Sequence, residues 1–380
     1  MGISNAESQH DENLYLKRIN RTNIYHFIRK SKGISRQKIS RDLHLSLPTV
    51  ISNIKELMQE GLIQEVGYVG NTGGRKARIY GIVDRARTAI GFDLTRNHIS
   101  AVAVDLQGNI IYNLRIRCAF SYSDAYFRKL GKLVQQLIRD ANLDADSVLG
   151  VGIGLPGLVT ADNSSVFYGE ILSITGATRD EFAKYIPFPT LLINDANAAA
   201  FAETWENTSI NNAYYVMLSN NVGGAIYINK KVYSGDSLRS GEVGHIKIVP
   251  EGKQCYCGQK GCFDAYCAAT VLSSATDKDL GKFFELLDKG NPRIKRIWDE
   301  YLGYLSRAVN TLHTLFDCRV ILGGYVGAYM AERMGELQAL VADKEPFVHN
   351  ADYLTPCRYK TEAIAVGAAL NYIVQYLDTI

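Results

Sequence analysis

The sequence lacks any uninterrupted apolar run of about 18 residues, the length that a membrane-spanning helix requires. Its first residues, MGISNAESQHDENLYLKR, also lack an apolar signal core, and this absence disfavours secretion. Hydrophobic residues form 47% of the 380-residue chain and charged residues form 21%, as in a globular protein. We therefore expect a cytoplasmic protein without a membrane partner, and the length predicts two or three domains.

Cysteines are few and odd in number, which excludes a fully paired disulfide framework. Of the seven cysteines, Cys255, Cys257 and Cys262 fall within eight residues of one another. With His245 they form the ligand set of a closed tetrahedral zinc site, in which four protein ligands make the metal structural. The alternatives are reduced thiols without a metal, or a ligand set in which Cys267 replaces one member. Three isolated cysteines are interpreted as core residues: Cys118, Cys318 and Cys357.

A large net charge is also absent, because 42 Lys and Arg residues face 39 Asp and Glu residues. The distribution is nevertheless uneven, since residues 1–80 hold 13 Lys and Arg residues against 7 Asp and Glu residues. This basic segment predicts an anionic partner for the N-terminal part of the chain.

Three apolar periodicities in the basic segment predict three helices, at residues 14–30, 35–44 and 47–61. Ser35 is the predicted N-cap of the second helix. The third helix has an apolar stripe of Leu47, Val50, Ile51, Ile54, Leu57 and Met58. This is the arrangement of a helix-turn-helix, and four polar residues of the third helix are predicted to face DNA: Thr49, Ser52, Asn53 and Lys55.

The residues that follow, 62–83, predict two strands around a glycine-rich tip. Arg75, Lys76 and Arg78 on this tip can reach a minor groove or adjacent phosphates, as in the wing of a winged helix-turn-helix domain. The alternative is a helical dimerisation domain whose basic residues are merely solvated.

After about residue 84 the pattern changes to strands that alternate with helices. Residues 88–116 predict three strands, followed by a helix at 125–141, a buried strand at 147–159 and a strand leading into a helix at 190–205. The pattern recurs from residue 212, which predicts a duplicated unit, and small residues in the last helix, 362–377, permit close packing. These features predict an α/β domain with mixed sheets.

Five motifs together resemble the ROK family of repressors, open reading frames and sugar kinases, and specifically its winged-helix transcription regulators. The motifs are GIGLPGLV, NDANAAA, GEVGH, CYCGQKGC and ILGGYVG. The resemblance implies an actin-like (ribonuclease-H-like) fold with a sugar in the cleft between two α/β subdomains. It also implies the domain order: a winged helix-turn-helix at 1–83, a first subdomain of 84–195 with 362–380, and a second subdomain of 196–361 with the zinc site.

The resemblance further assigns Asn194, Asp195, Glu242 and His245 to contact the sugar, because they match the family's sugar-contacting residues. His245 would bind zinc through one ring nitrogen and face the sugar with the other. The sequence departs from the family where Asp264 replaces the usual Glu, and this shorter carboxylate is expected to reach a sugar hydroxyl. Taken alone, Asn194-Asp195 is better interpreted as an ordinary turn and helix cap, and the sugar contact is favoured only together with Glu242 and His245.

The first phosphate loop of the family's kinases reads Asp-x-Gly-Gly-Thr, whereas this chain reads Asp93-Leu94-Thr95-Arg96-Asn97. Both glycines are replaced by residues with a β-carbon, which obstructs the close approach of backbone N–H groups to ATP phosphates. We therefore expect no kinase activity. Arg96 is a candidate contact for an anionic effector if its side chain turns into the cleft.

These observations predict a sugar-responsive transcriptional regulator of carbohydrate-utilisation genes, which binds a sugar or sugar phosphate without phosphorylating it. We expect a repressor, although the residues themselves do not decide between repression and activation. A homodimer or homotetramer is expected to place two recognition helices in successive major grooves of an operator in double-stranded DNA. The alternatives are a sugar kinase with residual activity and a zinc-stabilised scaffold that binds neither ligand.

Overall fold

The computed structural model describes residues 3–69, 76–345 and 349–380, and the side chains of residues 15–68 and of the other two ranges. Within these ranges no helix combines the length and apolarity needed to cross a membrane. The chain forms an N-terminal helical domain with a small sheet, followed by two five-stranded sheets.

The N-terminal domain has the predicted winged helix-turn-helix fold. Its elements are α1 (Ile3–Arg29), β1 (Ile34–Ser35), α2 (Arg36–Asp42), α3 (Leu47–Gln59), β2 (Ile63–Val69) and β3 (Ala77–Ile82), and the strands pair in the order β1-β3-β2. Ser35 and Ser46 cap α2 and α3, because their hydroxyls accept hydrogen bonds from Lys38 N and Thr49 N. The first helix begins at Ile3 rather than at the predicted residue 14.

The first large sheet has three antiparallel strands extended by two parallel strands. Its region contains β4 (Thr88–Leu94), β5 (His98–Asp105), β6 (Ile110–Arg117), α4 (Asp124–Asp140), β7 (Val148–Leu155), β8 (Leu158–Val159), β9 (Val166–Tyr168), α5 (Arg179–Ala183), β10 (Thr190–Asn194) and α6 (Asp195–Thr204). The order is β10-β7-β4-β5-β6, with β7 parallel to both β4 and β10. Apolar residues of α4, including Leu130 and Val134, cover one face of this sheet and share a core with Phe92 and Ile153.

The second large sheet repeats this topology, which confirms the predicted duplication. Its region contains β11 (Ala213–Leu218), β12 (Val222–Ile228), β13 (Lys231–Tyr233), α7 (Asp264–Cys267), α8 (Ala269–Ser273), α9 (Leu280–Asp288), α10 (Pro292–Phe316), β14 (Arg319–Gly323), α11 (Gly324–Gly327), α12 (Met334–Ala342), β15 (Leu354–Pro356) and α13 (Ala363–Leu377). The order is β13-β12-β11-β14-β15, again with three antiparallel strands and two parallel additions.

Two helices, α6 and α13, lie between the sheets. The last helix, α13, returns to the first sheet, where a Cβ on Gly91 would lie 1.8 Å from Ala365 O. It also contacts α6 closely, since a Cβ on Gly367 would lie 1.7 Å from Ala198 O. The other side of α6 packs on the second sheet through Ala199 and its neighbours. Helix α6 therefore contacts both halves, and its first residue, Asp195, lines two cavities between them. The domain boundaries given above remain predictions.

The winged helix-turn-helix domain shares a hydrophobic core with the first subdomain. Ile24 and Ile28 of α1 are fully buried in one cluster with Val102 of β5 and with Leu370 and Ile373 of α13. The burial of apolar surface stabilises this contact. The DNA-binding domain is therefore packed against the helix layer that forms the cleft.

Candidate effector and metal site

The N-terminus of α6 carries the first two predicted effector-binding residues. Asn194 caps the helix, because its Oδ1 accepts a hydrogen bond from Asn197 N at 3.0 Å. Its Nδ2 donates to Gly157 O at 3.1 Å and to Asp195 Oδ1 at 3.2 Å. The helix-cap interpretation is thus correct for Asn194, which retains little hydrogen-bonding capacity for a ligand.

Asp195 is oriented by the same turn. Its Oδ1 accepts from Ala196 N at 2.8 Å and from Asn194, whereas no donor among the described residues reaches its Oδ2. Asp195 lines both of the adjoining cavities of the cleft, of about 110 and 480 Å³. An oriented carboxylate with one unused oxygen in a cavity is suited to accept a hydrogen bond from a hydroxyl.

Several carboxyl groups in the cleft have raised pKa values, among them Asp93, Asp195 and Glu242. Burial raises the pKa of Asp93 to about 7, although the guanidinium of Arg115 opposes this shift. Burial, helped by the charges of Asp93 and Glu242, also raises the pKa of Asp195 to about 7, although the hydrogen bond from Ala196 N opposes this shift. The cleft therefore holds carboxyl groups that change charge near neutral pH.

This titration predicts a pH-dependent effect of Asp93→Asn on stability. In the unfolded chain an Asp has a pKa of about 3.9. Between about pH 4 and pH 7 the folded state therefore binds more protons than the unfolded state. The contribution of Asp93 to stability consequently decreases as the pH rises through this window. Because the variant carries no ionisable group there, its free energy of unfolding should exceed that of the wild type more at about pH 8 than at about pH 5. Urea unfolding at both pH values measures the difference, and the exposed Asp180→Asn is the control. An equal difference at both pH values would contradict the prediction.

The GEVGH segment places Glu242 and His245 at the same cavity. Gly244 lets the segment lie against β12, because a Cβ there would be 2.1 Å from Val222 O. Gly241, at φ +83°, turns the chain just before Glu242. Glu242 and His245 line the 110 Å³ cavity together with Asn194 and Asp195. The structure thus brings together four of the five residues that were predicted to bind the effector.

Asp264 is the fifth predicted residue, and it lies apart from the other four, so its assignment as a sugar contact stays a prediction. Its side chain is only 7% exposed, and it does not line the cavity that holds the other four. Its Oδ2 accepts a hydrogen bond from Val222 N at 2.6 Å. The carboxylate of Asp264 therefore stabilises the turn before β12, which forms part of the wall of the cleft.

The four predicted metal ligands form a compact group. Ligand atoms of His245, Cys255, Cys257 and Cys262 all lie within 4.8 Å of one another. The Sγ atoms of Cys257 and Cys262 are 3.7 Å apart, and Cys255 Sγ is 3.9 Å from His245 Nδ1. Metal–sulfur bonds of about 2.3 Å give tetrahedral edges of about 3.8 Å. The donor types and their spacing therefore fit a zinc ion.

Cys267 does not belong to this group. It is fully buried, and its Sγ lies 3.9 Å from Tyr301 O, on a helix that packs behind the loop. We therefore interpret Cys267 as a core residue, whereas Cys118, Cys318 and Cys357 are only partly buried.

Tyr256 is a site residue that the sequence analysis missed. Its hydroxyl lies 3.2 Å from His245 Nε2, and its half-exposed ring lines both cavities. In this structure the second ring nitrogen of His245 faces Tyr256 rather than the open cavity. Its position between two predicted metal ligands, Cys255 and Cys257, could have indicated this role, because a residue there lies in the loop that carries the metal-binding group.

The turn between β4 and β5 is closed by its own hydrogen bonds. Thr95 N donates to His98 O at 3.0 Å, and His98 N donates to Thr95 Oγ1 at 3.0 Å. The Thr95 amide is therefore occupied within the protein. Arg96 extends into the cleft, where its Nη2 donates to Ile171 O at 2.9 Å, and it lines the 480 Å³ cavity.

The glycines of the ILGGYVG motif have packing roles in this structure. A Cβ on Gly323 would lie 2.0 Å from the hydroxyl of Tyr215. Gly324 has φ +77°, and a Cβ there would lie 2.8 Å from Leu218 N. These contacts require glycine for the turn after β14 whether or not a nucleotide binds.

The predicted DNA-binding residues of α3 are mostly on the surface. Ser52 and Lys55 are exposed and Thr49 is half-buried, with its hydroxyl 2.7 Å from Ser46 Oγ. Asn53 was predicted to face outward, and this prediction is wrong: its side chain is 2% exposed and its Nδ2 donates to Thr49 O at 2.8 Å. Lys76 is exposed. Arg75 lies outside the described residues.

The apolar stripe of α3 is narrower than predicted. Val50, Ile54 and Leu57 are fully buried. Three residues assigned to the stripe are instead substantially exposed: Leu47, Ile51 and Met58. The outward face of α3 thus contains apolar as well as polar side chains.

Comparison with known proteins identifies both parts of the chain. Residues 89–373 match the ROK family, and residues 17–64 match the winged helix-turn-helix DNA-binding family. The xylose repressor of Bacillus subtilis strain 168 is 26% identical over 377 residues, which span 96% of this chain and 98% of that protein. The DNA-binding transcriptional dual regulator NagC of Escherichia coli K12 is 25% identical over 266 residues, which span 68% of this chain and 64% of NagC.

Solved structures share the fold. A ROK family transcriptional regulator, described as a homolog of the E. coli MLC protein, has a TM-score of 0.74 at 22% identity, covering 96% of this chain and 97% of that one. The ROK hexokinase of Thermus thermophilus has a TM-score of 0.59 at 24% identity, covering 76% of this chain and 99% of the hexokinase. The actin-like expectation is confirmed to this extent: the chain shares its fold with ROK regulators and ROK kinases. The chain belongs to the ROK family, with a winged helix-turn-helix domain in front of the family domain.

Proposed function

We propose that the protein is a sugar-responsive transcriptional regulator, expected to be a repressor of carbohydrate-utilisation genes, that binds its effector without phosphorylating it. The observation that carries the proposal is the packing of a winged helix-turn-helix domain directly onto the helices that form the effector cleft. The similarity to a xylose repressor along nearly the whole chain supports the same function. Such a regulator acts on the chromosome, so its place is the cytoplasm.

In this proposal the sugar binds at the start of α6. Asp195 Oδ2 accepts a hydrogen bond from one hydroxyl and Glu242 accepts from a neighbouring one, since vicinal hydroxyls suit paired carboxylates. Asn194 mainly orients Asp195, through the contact at 3.2 Å. Tyr256 offers the face and hydroxyl of a half-exposed ring at the junction of the two cavities.

Zinc would be held by His245, Cys255, Cys257 and Cys262, where it would serve as a structural crosslink with no open coordination position. His245 would use Nδ1 toward the cysteines, so that Nε2 carries the proton and donates to the Tyr256 hydroxyl. The hydrogen of that hydroxyl is then free to point toward a ligand. The metal-binding loop thus positions Tyr256 as well as His245.

The turn between β4 and β5 argues against ATP binding. Phosphate loops need free backbone N–H groups, yet the Thr95 amide donates within the turn. The side chain of Arg96 lies in the cavity next to this turn. Its guanidinium is compatible with a sugar phosphate as well as with a neutral sugar. Relatives of the chain are named for different sugars, since one is a xylose repressor and another is an N-acetylglucosamine repressor.

DNA binding would use the exposed face of α3 and the wing. Ser52 and Lys55 can donate to phosphates or base edges, and Ile51 beside them can contact a thymine methyl group. Thr49, Lys76 and Arg75 remain proposed DNA contacts. A homodimer or homotetramer would present two copies of α3 to an operator with two half-sites.

The proposal is tested by selecting DNA sites from a random oligonucleotide pool with the purified full chain. Binding of the selected DNA is then measured with and without xylose, N-acetylglucosamine and their phosphates. The variant Ser52→Ala with Lys55→Ala should weaken operator binding about 10-fold or more, because it removes one base or phosphate contact at each position. Lys132→Ala, an exposed lysine on α4, is the matched control.

Two results would contradict the proposal. The first is failure to enrich any DNA sequence, together with equal binding by wild type and the α3 variant. The second is sugar-dependent formation of ADP from ATP, which would favour the sugar-kinase alternative. Sugar binding without ADP formation supports the proposed function.

A further inference from the structure

The last turn of α1 is joined to the end of α6 by a buried arginine. Arg29 is only 3% exposed, and its guanidinium forms a two-bond ion pair with Glu206, in which Nη2 lies 2.9 Å from Oε2. Its Nε donates to Leu106 O at 2.9 Å, and its guanidinium lies 5.0 Å from the centre of the Trp205 ring. We name Arg29, Leu106, Trp205 and Glu206 the Arg29 clamp.

The clamp is rigid for three physical reasons. A bidentate pair between arginine and a carboxylate fixes both groups in one plane. A buried guanidinium that lost Glu206 would leave an uncompensated charge, so the pair opposes separation of the domains. Trp205 also presses on the β5–β6 turn, because a Cβ on Gly108 would lie 2.3 Å from its Cζ3 atom.

The clamp lies at one end of a helix whose other end is the effector site. Helix α6 begins at Asp195 and ends at Thr204, a length of about 15 Å. One turn before the clamp, Glu203 accepts hydrogen bonds from Arg358 N at 2.7 Å and Tyr359 N at 2.8 Å. These two residues belong to the segment that leads from the second sheet into α13. The end of α6 thus binds both the DNA-binding domain and the connection between the two halves of the cleft.

We propose that α6 and the Arg29 clamp transmit effector occupancy to the winged helix-turn-helix domain. The inference rests on the proposed function, because it requires a ligand at Asp195 and DNA at α3. A ligand that binds both halves of the cleft displaces the second half relative to the first, and α6 contacts both. Any shift of α6 along or about its axis moves Glu206, and the ion pair carries that shift to the last turn of α1. Glu206 and Arg29 act here as positioning residues.

The test compares the wild type with Glu206→Gln, which keeps the side-chain shape and removes its charge. For each protein the operator dissociation constant is measured with and without a saturating sugar, xylose or N-acetylglucosamine. The ratio of the two constants gives the coupling between sugar binding and DNA binding. We expect a wild-type ratio of about 5 or more and a ratio near 1 for Glu206→Gln, with sugar affinity changed less than about twofold. Glu206→Asp should restore most of the ratio. Glu332→Gln, an exposed glutamate beside the buried Arg333, is the control.

If Glu206→Gln shows the same ratio as the wild type, the inference is overturned and the proposed function is left intact. If the wild type itself shows a ratio of 1 with every sugar, both are overturned, because no sugar response would exist to transmit. If Glu206→Gln does not fold, hydrogen exchange of the wild type decides: sugar should change protection at residues 24–29 and 203–206 together. Protection that changes around Asp195 and not at residues 24–29 would overturn the inference.

Discussion

Asp195→Asn should weaken sugar binding by about 10- to 150-fold, because it removes a hydrogen bond to an ionised acceptor, which contributes about 1.5–3 kcal/mol. The amide keeps the size of the side chain but offers only one acceptor, and that acceptor position is already used by Ala196 N. The sugar-free variant should at the same time be more stable than the wild type at about pH 8, since burial disfavours the charge of Asp195. Calorimetric titration measures the first effect and urea unfolding the second.

The opposite signs of these two effects make the prediction specific. A variant that merely disturbed the fold would lose both stability and sugar affinity. Asp180→Asn, which changes an exposed carboxylate on α5 in the same subdomain, should alter neither quantity. Full sugar affinity in Asp195→Asn would remove Asp195 from the effector site.

Cys255→Ser should abolish stoichiometric zinc binding and lower the melting temperature by several degrees. Structural zinc sites stabilise folded proteins by binding only the folded state, and the loss of one of four ligands removes most of that free energy. Sugar affinity should also fall about 10-fold or more, because His245 and Tyr256 would lose the crosslink that holds them at the cavity. Atomic absorption measures the metal, and thermal unfolding and calorimetry measure the other two effects.

Cys118→Ser is the matched control, because it makes the same chemical change at a cysteine outside the cluster. It should leave the metal content and sugar affinity at wild-type values. Treatment of the wild type with a chelator should reproduce the Cys255→Ser phenotype, and added zinc should reverse it. Purified protein without metal that nevertheless binds sugar fully would contradict the structural role and favour reduced thiols without a metal.

Much of the local structure follows from the sequence alone. The alternation of apolar residues in 88–116 predicts three strands because a β-strand turns successive side chains to opposite faces. The N-cap Ser35 marks a helix start by a hydrogen bond within three residues. The metal-binding group was also predictable, since three of its four ligands lie within eight residues and local turns bring them together.

The orientation of individual polar side chains was harder to predict. Asn53 and Ser52 are adjacent polar residues on one helix, yet Asn53 bonds to Thr49 O in the interior while Ser52 is exposed. The difference depends on the neighbouring elements that cover one side of α3. Asp264 was similarly assigned to the ligand by its position after Cys262, but its carboxylate bonds to Val222 N, 42 residues away.

The sequence by itself determined the order of domains, the strand and helix pattern, the cysteine cluster and the absence of glycines from the β4–β5 turn, because each depends on residues close together in the chain. Only the tertiary structure decided which groups meet in the cleft and what joins the cleft to the winged helix-turn-helix domain. Arg29 and Glu206 are 177 residues apart, and neither stands in a recognisable motif. Their contact exists because α13 and the first sheet bring α1 against the end of α6, and long-range packing of this kind leaves no periodic signal in a sequence.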